Sequence, residues 1–174
     1  MYQKALAGVI GLLSLGSCVT IPEGAVAVKR FDSNKYLGKW YEIARMDFRF
    51  ERGLNNTTAN YTANKDGSIR VENRGYNPET NEWKEAVGKA KFVGTRDEAR
   101  LKVSFFGPFY GGYNVIALDQ NYQYALVAGN NLNYLWILSR EKVIPDDIKD
   151  AYLKLAGQLG FDTDALIWVK QDKQ

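Results

Sequence analysis

The chain has 174 residues, 23 basic against 20 acidic, for a formal net charge of +3. That balance is mild and the basic residues are scattered, which excludes the basic stripe of a nucleic-acid binder. There is no histidine and a single cysteine, Cys18, so histidine-based triads, His-ligated zinc, a proximal haem histidine and an internal disulfide are excluded. No phosphate-binding or dinucleotide-binding glycine pattern is present. Neither a catalytic residue nor a cofactor nor a metal is expected, and the chain is read as a non-enzyme.

Residues 1–17 carry a positive charge at Lys4, an apolar run from Ala5 to Leu15, and small residues before Cys18. This is the layout of a secretory signal, and its apolar run is shorter than the about 20 residues that span a bilayer. Leu15-Gly16-Ser17-Cys18 resembles the lipobox of bacterial lipoproteins. The resemblance implies that the Cys18 thiol receives a diacylglyceryl group, that the signal is cut before it, and that the new amino terminus is acylated. More than one acyl chain, at ~0.8 kcal/mol per buried methylene, anchors a protein stably. Val19, not Asp, follows the cysteine, which in that family points to the outer membrane. An ordinary signal that happens to carry a cysteine is the other reading. Residues 18–35 are expected to be a lipidated N-terminus and linker, with Val19 to Lys35 spanning ~55–60 Å when extended. Residues 36–174 are expected to form one domain.

Strand signals then follow at regular spacing. They cover Trp40 to Asp47, Thr57 to Ala63, Ile69 to Tyr76, Trp83 to Val93, Arg100 to Phe106, Tyr113 to Leu118, Tyr124 to Gly129 and Leu135 to Arg140. Asp66-Gly67 marks a tight hairpin turn, because this pair supplies the positive dihedrals that such turns need. A helix is predicted from about Pro145, at its first position, to Leu159, with Gly160 as its stop. Ile148, Ala151, Tyr152, Leu155 and Leu159 form its apolar stripe, which needs the outer face of the sheet as partner. Leu166 to Val169 is a short last strand. Eight antiparallel strands with one outer helix predict an all-β, up-and-down barrel, whose closure removes exposed edges and leaves an interior for one small ligand.

Here the chain resembles a known family. Gly38-Lys39-Trp40 on the first strand is similar to the G-x-W motif of lipocalins. Asp119-Gln120-Asn121-Tyr122 and Arg140 are similar to the second and third motifs, with Leu118 where a Thr often precedes the Asp. The details are most similar to bacterial lipocalins, outer-membrane lipoproteins related to apolipoprotein D. The resemblance implies that Gly38, Trp40, Asp119, Tyr122 and Arg140 build the barrel floor, with Arg140 lying across the Trp40 ring, and do not touch ligand.

Chain direction places four loops at the open end: Phe48 to Leu54, Asn77 to Asn81, Gly107 to Gly112, and Asn130 to Asn133. Phe48, Arg49, Phe50 and Arg52, with Phe106, Phe109 and Tyr110, suit a portal that accepts lipid and touches a membrane. The same phenylalanines also suit an inward cap or a homodimer contact. Alternation points Ala59, Tyr61, Val71, Asn73, Gly75, Ala90, Leu101, Val103, Phe105, Tyr113, Val115, Trp136 and Leu138 into the lumen, with Ala86 and Gly88 beside them. Glu42 shares the parity of Trp40, and sequence names no partner for its buried carboxylate.

The chain is therefore expected to be a lipid-binding lipocalin held at the outer membrane through acylated Cys18. It would store or transport a fatty acid or a lysophospholipid, and family resemblance alone extends that to membrane biogenesis or repair. A structural or assembly lipoprotein whose barrel is filled by its own side chains is the alternative; an envelope enzyme using carboxylates is a third reading, against which the absence of catalytic motifs weighs.

Overall fold

The computed structural model describes residues 19–173; Cys18 and the signal segment lie outside them. Eight antiparallel strands form a closed barrel: β1 Gly38–Arg45, β2 Asn55–Ala63, β3 Ile69–Asn77, β4 Glu82–Phe92, β5 Arg100–Ser104, β6 Gly111–Leu118, β7 Tyr124–Ala128 and β8 Leu135–Ser139. Closure comes from β1, which pairs β2 on one side and β8 on the other. A ninth strand, β9 Ile167–Trp168, pairs with Ala44 and Arg45 where β2 has diverged from β1. Gln171 closes the remaining gap, its Nε2 donating to the carbonyls of Glu42 (2.8 Å) and Thr57 (2.9 Å).

The turns follow local chemistry. Gly67 takes φ +79° in the β2–β3 hairpin, and Asp66 Oδ1 accepts the Ser68 amide at 3.0 Å. Asn77 Oδ1 accepts the Glu79 and Thr80 amides in the next hairpin, an Asx turn that starts the reversal.

Alternation along the strands makes two cores. Inside the barrel, Trp40, Tyr61, Ile69, Val71, Ala90, Leu101, Val115, Val127 and Leu138 pack with Phe31 and Tyr36. Outside it, the other faces of β1, β7 and β8 pack against helix α2, Asp146–Gln158. Its buried residues are Tyr152 and Ala156, flanked by Ile148, Leu155 and Leu159. The expected stripe is thus rotated: Ala151 is exposed and Ala156 takes its place. Pro145, expected as the first helical residue, is instead the cap in extended conformation, and the helix begins one position later at Asp146.

The expected linker is a correction. Val19, Ala27 and Phe31 are buried, and the Val28 amide donates to the Val115 carbonyl at 2.9 Å while Val28 accepts from Ala99 at 2.8 Å. A short helix, α1 Ser33–Tyr36, then leads into β1. Apolar side chains without strand or helix periodicity gave no local sign of this packing, which depends on the closed barrel: Val28 and Phe31 pack against its inner core.

Candidate functional site

The floor is built around Trp40, which is fully buried and donates from Nε1 to the Tyr36 carbonyl at 2.8 Å. The Arg140 guanidinium lies 3.9 Å from the Trp40 ring centroid. It also donates to the carbonyls of Lys39, Lys35, Tyr36, Leu37 and Tyr122. Arg140 therefore ties α1, β1 and the β6–β7 turn into one plate. Asp119 holds that turn, its carboxylate accepting the amides of Asn121, Gln123 and Tyr124. Tyr122 adopts φ +58° within it, and its hydroxyl accepts the Asp32 amide at 2.9 Å. Gly38, at φ +91°, leaves room beside Arg140 Nη1.

Above the floor, Phe31, Tyr36, Tyr61, Ile69, Val71, Ala90, Leu101, Val103 and Tyr113 line a small apolar cavity of about 10 Å³, room for about one water. Tyr113 Oη meets both Tyr36 Oη and Tyr61 Oη at 2.7 Å. Burial pushes all three hydroxyls above the ordinary tyrosine value, so they remain neutral hydrogen-bonding groups. Ala59, Phe105, Val115, Trp136 and Leu138 pack in the same inner core. Asn73 Oδ1 is buried with no partner among the described residues.

Two expectations about the wall change. Gly75 leaves no open space: a Cβ there would come within 2.8 Å of Thr57 Cγ2 and 3.0 Å of Leu54 Cδ1. Ala86 lies exposed. Gly88 instead makes room for Phe105, whose Cδ1 would stand 2.8 Å from an added Cβ.

The partner of Glu42 is Arg45. A bulge between Glu42 and Ala44 shifts the register, so Glu42 pairs with Leu138 and Arg45 with Trp136. An extra residue in one strand reverses the facing of everything after it. Arg45 thereby turns into the barrel and its Nη1 donates to Glu42 Oε1 at 2.7 Å. Its Nη2 donates to the carbonyls of Glu51 (2.7 Å) and Leu54 (3.0 Å), stapling the loop between β1 and β2 over the wall. Glu51 Oε2 stands 4.0 Å from Arg45 Nε and accepts from Trp136 Nε1 at 3.2 Å. Sequence reasoning missed Arg45, Glu51 and Tyr36; a basic residue ending an apolar strand was the only trace of the first.

Two carboxyl groups thus face one guanidinium. Burial, then the nearby Glu42 charge, push Glu51 well above the ordinary carboxyl value. Burial also raises Glu42, while Arg45 pulls it back down. A carboxyl whose folded value is raised takes up a proton on folding. Its contribution is present at low pH and is lost as pH rises from the unfolded value toward the folded one. Relative to the wild type, Glu51→Gln is therefore expected to gain stability with rising pH, by up to ~1.4 kcal/mol per unit above about pH 4.3. Urea unfolding of both proteins from about pH 4 to pH 8 checks this, and parallel curves would refute it.

The mouth phenylalanines divide. Phe48 folds inward, its ring 5.4 Å from Trp136 and 5.7 Å from Tyr134. Phe50, Phe106 and Phe109 point out, 70%, 66% and 78% exposed. Arg49 lies beside the Phe50 ring, Lys102 Nζ stands over Tyr110, and Arg52 pairs with Asp47 at 3.0 Å.

A barrel of this topology, with a tryptophan floor crossed by an arginine, agrees with a sequence match to the model of the lipocalin-like domain over residues 31–171. The chain belongs to the lipocalin-like family. Among its lipocalin relatives is the outer membrane lipoprotein Blc of Citrobacter freundii, 56% identical over 89% of this chain and 88% of that one. Blc of Vibrio cholerae is 49% identical over 97% of this chain and 99% of the relative. Apolipoprotein D of Macaca fascicularis is 34% identical over 86% and 82%. Insecticyanin from the tobacco hornworm shares the fold, with a TM-score of 0.70 at 20% identity over 87% of each chain. With the Blc lipoproteins matching nearly its whole length, this lipocalin is placed at the bacterial outer membrane with a lipid anchor.

Proposed function

We propose that this lipocalin stores or transports one single-chain lipid, a fatty acid or lysophospholipid, in its barrel, and that Cys18 carries the anchor. The observation behind the reading is the apolar inner core, sealed below by Trp40 and covered above by Phe48, Leu54 and Trp136. Burying a long acyl chain is worth on the order of 10 kcal/mol gross at ~0.8 per methylene, and binding costs remove a large share. The tyrosine hydroxyls and Asn73 supply the few polar atoms that orient a ligand in such a site. Because the cavity is about 10 Å³, loading requires the β1–β2 loop and the side chains beneath it to move. That small volume is also the observation favouring the second reading, a barrel filled by its own side chains.

Delipidated protein titrated with palmitate is expected to bind in the micromolar range or tighter, roughly −8 kcal/mol. Trp136 should report the binding by fluorescence, and Trp136→Phe should remove most of that signal. Ala90→Phe, which fills the lower cavity, should abolish binding while circular dichroism shows an intact barrel. No heat of binding from a folded, delipidated barrel would favour the side-chain-filled reading.

Cys18→Ser is expected to release the protein from the outer-membrane fraction with its barrel folded. Retention of that variant after a high-salt wash would refute the anchor.

A further inference from the structure

We propose that the mouth of the barrel is a bilayer-docking surface, held against the membrane because the anchor leaves the domain beside the rim. The inference rests on acylation of Cys18. Val19, the next residue, is buried, and its carbonyl accepts from Arg100 Nη2 at 3.1 Å. Thr20 Oγ1 donates to the Asn130 carbonyl at 2.9 Å, and the Thr20 carbonyl accepts from Asn114 Nδ2 at 3.4 Å. Asn130 belongs to the mouth loop between β7 and β8. Its Oδ1 accepts the Gly112 amide at 2.8 Å, where the β5–β6 mouth loop rejoins the barrel. Consecutive Cα atoms are ~3.8 Å apart, so acyl chains on Cys18 begin close to this rim. A tether pinned this way cannot let the barrel stand off the membrane.

The rim suits what the tether brings near. Phe50 and Phe106 come from different loops and their rings lie 6.1 Å apart, both exposed. Phe109 is the most exposed large apolar side chain among the described residues, and Leu132 adds to the same end from the β7–β8 loop. Apolar surface gathered at one rim is unfavourable in water and favourable in the bilayer interface. Arg49 beside Phe50 and Lys102 over Tyr110 set basic groups behind these rings, at the level of lipid phosphates. The opposite end offers Val143 as its large exposed apolar side chain. Docked mouth-first, the barrel takes lipid directly from the bilayer, and the Arg45-stapled loop lies at the membrane surface.

Acylation consumes the thiol of Cys18, the single cysteine, so an introduced cysteine can be labelled alone. Full-length processed protein with Phe109→Cys or Val143→Cys, each carrying an environment-sensitive fluorophore, is reconstituted into phosphatidylethanolamine–phosphatidylglycerol vesicles. The Phe109→Cys label should shift to the blue and lose most of its emission when the acyl chains are brominated; the Val143→Cys label should do neither. Phe50→Cys should repeat the first pattern, and circular dichroism confirms that each variant is folded. The mass of the N-terminal peptide reads acylation separately, so an unmodified cysteine refutes the anchor itself. Acylated protein whose Phe109→Cys label stays in water overturns the docking. A blue shift that bromine does not quench and that grows with protein concentration also overturns it, since a second copy of the chain would then cover the face.

Discussion

Arg45→Met is expected to cost about 3–5 kcal/mol of stability, the size seen when one partner of a buried ion pair is removed. The side chain is 1% exposed and Glu42 is 7% exposed beside it. Removing the guanidinium leaves the Glu42 carboxylate without a counter-charge and the Glu51 and Leu54 carbonyls without their donor. Glu42 would then take up a proton on folding, so the penalty should be small at low pH and grow as pH rises above the ordinary carboxyl range. Glu42→Gln in the Arg45→Met background should recover part of the loss. Arg45→Lys should not restore the wild type, because one ammonium cannot reach a carboxylate and two carbonyls in the fixed fan of a guanidinium. Urea unfolding measures these differences. Trypsin gives a second reading: Arg49 and Arg52 lie on the stapled loop and should be cut faster once the staple is gone. A cost under about 1 kcal/mol with unchanged cleavage would show that Arg45 does not hold the loop.

Trp40→Ala is expected to cost about 3–5 kcal/mol, the range for a large aromatic removed from a packed core. The ring is fully buried, 4.8 Å from Tyr36 and 3.9 Å from the Arg140 guanidinium. Arg140→Ala should cost about 2–3 kcal/mol, since a hydrogen bond from a charged group is worth ~1.5–3 kcal/mol and water can still reach some of its carbonyls. The two losses should not add, because removing either side chain also removes their shared contact; coupling of about 0.5–3 kcal/mol is expected. A double-mutant cycle that closes at zero would show the two to be energetically independent despite their distance.

Sequence by itself determined the barrel and its floor. Strand alternation, the Asp66-Gly67 turn and the glycine and asparagine turns are local, so each hairpin could be placed without knowing the others. The resemblance of Gly38-Lys39-Trp40 and Arg140 to lipocalin motifs then pointed to the closed end, and even spacing from Arg140 placed Trp136 inside. Tertiary structure alone decided the rest, and in each case the deciding contact joins residues distant in the chain. The bulge after Glu42 answers to the register of β8, so Arg45 could not be predicted to face inward from its own strand. Gly75 looked like open lumen because Leu54 and Thr57, which fill the space, arrive from the mouth. Phe48 and Phe50 are two residues apart yet one caps the barrel and the other faces outward, a division set by Trp136 and Tyr134 beneath the first. The segment from Val19 to Asp32 lacks any periodic pattern. It is fixed by Ala99, Asn114, Val115 and Asn130, which become one surface only when the barrel closes.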